Sequence, residues 1–234
     1  MRPPALALLA LVAVACFPRA SISDAERQQA ARELDGQLRF AQVAVYIGPL
    51  YGDETKLLVS DQPVDELDLL EDPAGKTIPA PTPDRVLPPG TPLRIRTVEF
   101  PTGWTIAARV VMTPRYHPWI YLDIPGESRP GIVVLPQTVA TVEDVRTELD
   151  RIAGTADLGG AFRALPDTQR AAISLKRPVE GMGVQALEMA WGYPEKKVVD
   201  RPAGTEEWSW PGGRRTASLR DGKLLRWQVS GAPR

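Results

Sequence analysis

The chain has 234 residues, of which 28 are basic and 29 acidic, so its formal charge is −1. This balance favours neither nucleic acid as a partner nor electrostatic adhesion to anionic lipid. The length suffices for one large or two small domains. A single cysteine excludes an intramolecular disulfide, and 24 prolines with 19 glycines favour short strands and many turns over a helical bundle.

The first residues have the three parts of an export signal. Arg2 is followed by an apolar run from Ala5 to Ala15, and small residues precede Cys16. This run is too short to span a bilayer, which takes roughly 20 apolar residues. We therefore predict that residues 1–15 are a signal peptide that is removed.

Cys16 stands where a bacterial lipoprotein is acylated. The stretch Leu11–Phe17 resembles the lipoprotein signal, with Ala15 directly before the cysteine and Ala13 where Leu is usual. The same small residues also fit ordinary secretion, so a freely secreted or soluble periplasmic protein is the alternative. Because an unpaired thiol is a liability in an oxidising compartment, acylation of Cys16 is favoured. Phe17 rather than Asp after the cysteine implies sorting to the periplasmic face of the outer membrane.

The chain then passes from one helix to short strands. A helix is predicted from about Asp24 to Arg39, with Asp24 as its N-cap and a thin apolar face. Apolar runs predict strands over Val43–Ile47 and Lys56–Val59. The segment Asp61–Pro89 is rich in proline and acid, so we expect a surface loop or linker that hardly packs.

The clearest β region follows this segment. Turn residues separate four apolar runs, Pro92–Phe100, Trp104–Met112, Trp119–Ile124 and Gly131–Leu135. Short strands at this spacing predict a small barrel or sandwich. The approach to the first run, Leu87–Ile95, resembles that of SH3-like barrels. We therefore expect a β-rich domain over residues 42–136, with an SH3-like barrel as its candidate topology.

Two helices are predicted next. Thr141 opens a capping-box helix that ends near Gly154, and its apolar positions Val142, Val145, Leu149 and Ile152 form one stripe. A second helix is expected over Pro166–Leu175, with the proline near its first turn. We expect residues 137–165 to be a helical connector.

The last quarter of the chain carries motifs in a characteristic order. The run Gly181–Pro194 is followed by Glu206–Trp210 and then by Leu219–Leu224. In this order the sequence resembles the SmpA/OmlA-like (BamE-like) family of envelope lipoproteins, over residues 170–229. The resemblance implies two helices on a three-stranded antiparallel sheet, without catalytic residues, and a scaffold or binding role.

The residues of this region predict a core without the resemblance. A short helix before Gly192 has an apolar stripe, and Asp221-Gly222 is a hairpin turn. Trp208 and Trp210 share one face of a strand, and Trp227 shares a face of the next hairpin with a leucine. These three tryptophans form either a buried aromatic core or contacts to a partner protein or glycan.

The sequence offers little for catalysis. The single histidine, His117, stands in a proline-rich turn, where we expect a surface or half-buried position, so a nucleophile has no evident base. One histidine and an acylated cysteine do not make a typical zinc site. Glu143-Asp144 and Glu206-Glu207 are better interpreted as solvated charge. We expect no enzymatic activity, no metal and no cofactor.

Together these observations predict an α+β envelope lipoprotein. A β-rich N-terminal domain would precede a two-helix, three-stranded domain over residues 166–230. Held to the membrane by its lipid anchor at Cys16, the protein would bind an envelope protein partner as a non-catalytic scaffold in outer-membrane assembly or maintenance. The alternative is a tethered or secreted binder of a cell-wall or other extracytoplasmic ligand through the β-rich domain.

Overall fold

The structure, a computed structural model, describes residues 22–230. The predicted signal peptide and Cys16 lie outside the described residues. Within them the chain folds into an eight-stranded sheet, a four-stranded antiparallel sheet and several short α-helices. The fold is therefore of the mixed α+β class, as expected.

The first eight strands of the chain form the larger sheet. They are β1 (Leu38–Ala41), β2 (Val45–Leu50), β3 (Asp53–Ser60), β4 (Arg85–Leu87), β5 (Pro92–Glu99), β6 (Trp119–Asp123), β7 (Gly131–Val134) and β8 (Ala153–Gly154). Their order in space is β4-β2-β3-β7-β6-β5-β1-β8. Only the pair of β3 and β7 is parallel among these strands. The sheet is thus larger and more mixed than the small barrel that the strand spacing predicts.

Two helices contribute to the main core on one side of this sheet, α1 (Asp24–Leu34) and α3 (Val142–Ile152). The apolar stripe predicted for α3 is confirmed, since all four of its residues are buried. Thr141 caps α3 in a capping box with Asp144. Because α3 shares the main core, it belongs to the β-rich body in this structure, although we expected it in a connector.

Helix α1 is shorter than the sequence predicts. It ends at Leu34, and Gly36 then takes a positive φ of 79° that turns the chain into β1. The predicted extension to residue 39 is wrong because residues 38–40 instead pair with β5. The N-cap is Ser23, whose hydroxyl accepts a hydrogen bond from the backbone N–H of Glu26, and not Asp24.

The strand predicted over Trp104–Met112 is also wrong. A short helix, α2 (Gly103–Ala108), occupies the first half of this run. Thr102 accepts a hydrogen bond from the backbone N–H of Thr105, and the hydroxyl of Thr105 accepts one from the backbone N–H of Thr102. This local capping box satisfies the first turn of a helix, which outweighs the β propensity of the apolar residues.

The second region contains three helices and the smaller sheet. These elements are α4 (Gly159–Arg163), α5 (Asp167–Ser174), α6 (Val184–Trp191), β9 (Lys196–Asp200), β10 (Thr205–Ser209), β11 (Arg215–Arg220) and β12 (Lys223–Val229). The four strands follow one another as an antiparallel meander. The expected sheet had three strands, and β9 was missed because its exposed run Lys-Lys-Val-Val-Asp lacks the alternation that marks a half-buried strand.

The aromatic core expected for this region is present. Trp208 and Trp210 are each 1% exposed, and α6 covers them with Trp191. The rings of Trp191 and Trp210 meet edge to face with centroids 5.0 Å apart, a favoured aromatic geometry. The predicted end of α6 at Gly192 is confirmed, and so is the hairpin turn, because Asp221 and the glycine after it both have positive φ.

Buried polar contacts join the two regions. Arg215 of β11 forms an ion pair with Glu66 at 3.0 Å, and both side chains are almost fully buried. The Lys176 ammonium donates to the carbonyl oxygen of Ala44 at 2.5 Å, and the Ala44 N–H donates to the carbonyl oxygen of Met189 at 2.6 Å. The smaller sheet and its helices therefore pack directly against the strands that begin the larger sheet.

Candidate functional site

A groove of about 1140 Å³ opens beside the carboxyl ends of β3 and β7. Residues at those strand ends line one side of it, together with the turn from Pro114 to His117. The acidic segment after β3 lines another side, and the last turns of α3 contribute Glu148, Arg151 and Ile152. Four separate stretches of the chain thus meet around one concave surface.

The acidic wall of the groove corrects the expectation that residues 61–89 hardly pack. Leu67 and Ala80 are buried in a cluster that includes Trp119 and Ile132 of the larger sheet. The Asp72 carboxylate accepts two backbone hydrogen bonds that hold a turn in this segment. The many prolines reduce the freedom of the unfolded chain, so fewer buried residues suffice to order the segment than its composition suggests.

The groove is acidic and apolar. The carboxylates and guanidinium groups of its lining number six and one, from Asp61, Glu66, Asp68, Glu71, Asp72, Glu148 and Arg151. Glu66 is neutralised by Arg215, and Arg151 lies 3.8 Å from Glu148. Leucine, valine and proline side chains form much of the remaining surface. The groove therefore suits a ligand that is both apolar and positively charged.

His117 is buried in the wall of the groove, deeper than its place in a turn suggested. Its Nδ1 lies 2.8 Å from the carbonyl oxygen of Leu135, which can only accept, so Nδ1 carries the proton. In the neutral ring Nε2 then accepts from the side-chain amide of Gln137 at 3.0 Å. Burial lowers the pKa of His117, which favours this neutral form. Both ring nitrogens form hydrogen bonds within the protein. The ring therefore stabilises the wall of the groove, and neither nitrogen is free to accept a proton from a ligand.

Lys176 lies at the junction of the two regions, close to the acidic segment. Its ammonium group is buried, and it lies 5.1 Å from the centroid of the Tyr46 ring. Burial is the main cause that lowers its pKa to about 7, while Asp61 opposes that shift. Glu66 also favours the charged ammonium, and Arg215 disfavours it. The neighbouring charges therefore offset only part of the cost of burying this ammonium group.

The tryptophans selected from the sequence lie away from the groove. Trp208 and Trp210 are in the C-terminal core, where the indole N–H of Trp208 donates to Glu206 and that of Trp210 to the carbonyl oxygen of Gly192. The core interpretation therefore holds for these two residues. Trp227, on the edge strand β12, is 37% exposed, and its role in partner binding stays a prediction. Cys16 lies outside the described residues.

Among residues 22–230, no group of three or more His, Cys, Asp or Glu side chains is arranged to hold a metal ion. Tyr116 accepts a hydrogen bond from Arg115 at 2.9 Å in the groove wall.

No helix in the described part of the chain has the length and apolarity to cross a bilayer.

The groove residues were missed because proline and acid content suggested an unpacked loop. A usable signal was present at Glu66-Leu67-Asp68-Leu69, where acidic residues alternate with leucines. Such alternation fits a segment with one side on an apolar surface and the other in solvent. The partner surface, formed by strands distant in sequence, could not be read from the segment itself.

Comparisons with known proteins assign no family to the chain. No protein-family model, curated protein or solved structure gives a significant match.

Proposed function

We propose that the protein is an exported, lipid-anchored envelope protein that acts as a non-catalytic binding module. Its groove takes an extended segment of a partner polypeptide that is rich in apolar and basic residues. The observation that carries this proposal is the acidic, apolar-walled groove of about 1140 Å³, large enough for a segment of several residues.

Charge supports a basic polypeptide over the alternative ligand. Two of the six groove carboxylates, Glu66 and Glu148, are paired with Arg215 and Arg151, so the lining keeps an excess of negative charge. A basic segment gains electrostatic complementarity there, which favours both encounter and selectivity. An anionic cell-wall polymer would meet like charge, so the cell-wall ligand is the weaker candidate for this groove.

The anchor and the family resemblance belong to the same proposal. The export signal and the cysteine after it support acylation of Cys16. Two helices followed by antiparallel strands, with a covered aromatic core, support an SmpA/OmlA-like domain over residues 166–230. The fourth strand, β9, departs from the three-stranded pattern of that family. An SH3-like barrel in the β-rich part finds support only in the approach to β5.

Peptide binding to the full chain tests the groove. Fluorescence anisotropy would compare two labelled peptides of equal length, one alternating Lys and Leu and the other alternating Glu and Leu. We expect the basic peptide to bind, and the double variant Asp68→Asn, Glu71→Gln to weaken it roughly 3- to 10-fold, since each exposed pair is worth up to about 1 kcal/mol.

A matched control removes two exposed carboxylates elsewhere, with Glu180→Gln and Glu195→Gln. Equal weakening by the control, or equal binding of the acidic peptide, would exclude the groove as the site. The anchor is tested separately by the intact mass of the protein from membranes, compared with Cys16→Ser. Absence of acyl mass on the wild type would end that half of the proposal.

A further inference from the structure

The segment Pro101–Met112 exposes apolar side chains and hides its only charge. Trp104 is 83% exposed and Val111 66%, and Val110 and Met112 are also exposed. The single charged residue of the segment is Arg109, whose side chain is 4% exposed. We call residues 101–112 the uncharged segment. Solvated surface segments ordinarily carry charge, so twelve residues without an exposed charge indicate contact with a less polar surface.

The exposure is held in place by buried contacts. Arg109 forms an ion pair with Glu99 at 2.6 Å and donates to the carbonyl oxygens of Arg115 and His117 at 2.9 and 2.7 Å. Its guanidinium lies 3.7 Å from the centroid of the Trp119 ring. The capping box of α2 fixes the other end of the segment. The fold therefore presents the apolar side chains in a defined position.

We propose that the uncharged segment inserts into the interfacial layer of the lipid bilayer to which the protein is tethered. Tryptophan favours this layer because its ring is apolar and its N–H can bond to water or headgroups. Neutral aliphatic neighbours add apolar area at no cost in desolvated charge. This inference rests on the proposed lipid anchor for its setting, but it concerns a different surface from the groove.

The strand directions place the uncharged segment and the start of α1 at one end of the molecule. Glu99, the last residue of β5, and Val134, the last of β7, both pair with Trp119. The uncharged segment follows β5, and α3 follows β7. Both therefore leave the sheet at the same end of its strands. The Glu26 carboxylate accepts a hydrogen bond from the backbone N–H of Val142 at 2.8 Å, which places α1 beside the start of α3.

The chain between Cys16 and Ile22 is short. Six Cα steps reach no more than about 22 Å when fully extended. An acyl anchor at Cys16 would therefore keep the end of the molecule that carries the uncharged segment near the bilayer surface. A neutral segment needs no matched charges on the opposing surface, which a lipid interface does not supply in fixed positions.

Hydrogen exchange on a chemically tethered chain tests the inference. Cys16 is the only thiol, so the chain beginning at Cys16 can be coupled to a maleimide lipid in phosphatidylcholine vesicles. The reference is the same chain coupled to a soluble maleimide polymer. We expect amide exchange in residues 101–112 to slow about tenfold on the vesicles, as groups in an apolar layer lose contact with water. Exchange in the exposed strand β9 stays unchanged.

A double variant, Trp104→Ser with Val111→Ser, is the matched control. Both side chains are exposed, so the variant keeps its fold, which circular dichroism verifies, and it loses the protection although it remains tethered. Equal exchange of the wild type on vesicles and polymer would overturn the inference. Protection in the soluble conjugate that rises with protein concentration would assign the segment to a second copy instead. Because the tether is chemical, absence of natural acylation contradicts only the proposed anchor.

Discussion

The C-terminal aromatic core and the uncharged segment each combine tryptophan with a buried arginine, but they differ in exposure. The buried arginine is Arg215 in the core and Arg109 in the segment, and each lies near a tryptophan ring. Arg215 lies 5.7 Å from the centroid of the Trp210 ring, and Arg109 lies 3.7 Å from that of Trp119. Yet Trp208 is 1% exposed and Trp104 is 83% exposed.

The difference comes from what covers each region. Helix α6 lies over the tryptophans of the smaller sheet, whereas within residues 22–230 no element covers Trp104. Burial is therefore set by a partner distant in sequence and not by local composition. A run of apolar residues predicts a contact, but it does not tell whether the contact is made within the chain or outside it.

The largest effect is expected in the covered region. Trp208→Ala would lower the free energy of unfolding by about 3–5 kcal/mol, because it leaves a cavity beneath α6. Urea denaturation followed by circular dichroism measures this change. A loss below about 1 kcal/mol would mean that the aromatic core is much looser than its burial indicates.

The inward arginine of the uncharged segment should have an intermediate effect. Arg109→Met removes the ion pair with Glu99 and two hydrogen bonds to carbonyl oxygens. We expect a loss of about 2 kcal/mol, less than for a fully buried pair because Glu99 is partly exposed. Hydrogen exchange of residues 110–112 should also become faster. If only global stability changed, Arg109 would not be what fixes the segment.

The covered region should also respond to pH through Lys176. Its pKa falls from 10.5 in the unfolded chain to about 7 in the fold, so between these values the unfolded state binds more protons. Stability is therefore greatest above pH 10.5 for this group and is lost as the pH falls towards 7. Between pH 7.5 and 8.5 the free energy of unfolding should rise by about 1 kcal/mol.

The Lys176→Met variant should lose this slope in urea titrations across the same pH range. Lys196→Met, at an exposed position, is the control and should keep it. An identical slope in wild type and Lys176→Met would show that the ammonium is better compensated by its neighbours than its burial implies.

The smallest effect is expected at the exposed tryptophan. Trp104→Ala should change the free energy of unfolding by less than about 0.5 kcal/mol, since its side chain makes few contacts within the described chain. The same urea assay applies. A loss similar to that of Trp208→Ala would remove the contrast between the two regions.

Elements with local signals could be predicted from the sequence. The capping box and stripe of α3, the end of α6 at Gly192 and the turn at Asp221 are each fixed by residues within one or two turns of chain. The strands β5, β6 and β7 were found within one or two residues because their apolar runs are bounded by turn residues.

The elements that the sequence did not predict depend on partners distant in the chain or have only weak sequence patterns. β1 forms because β5 offers it a pairing edge, and the wall around Leu67 orders because Trp119 and Ile132 lie beneath it. Neither partner is visible from the local sequence. The groove arises only where these parts meet, so its acidic residues could be seen in the sequence but not their common surface.

The buried ion pair between Arg215 and Glu66 makes each region depend on the other for its stability. Its partners are 149 positions apart, and Ala44 from the first region completes the core of the second. A fragment ending before Arg215, or one starting after Glu66, would leave an uncompensated charge in an apolar setting. We therefore expect the two sheets to unfold in one cooperative transition, and neither region to be stable in a protein that lacks the other.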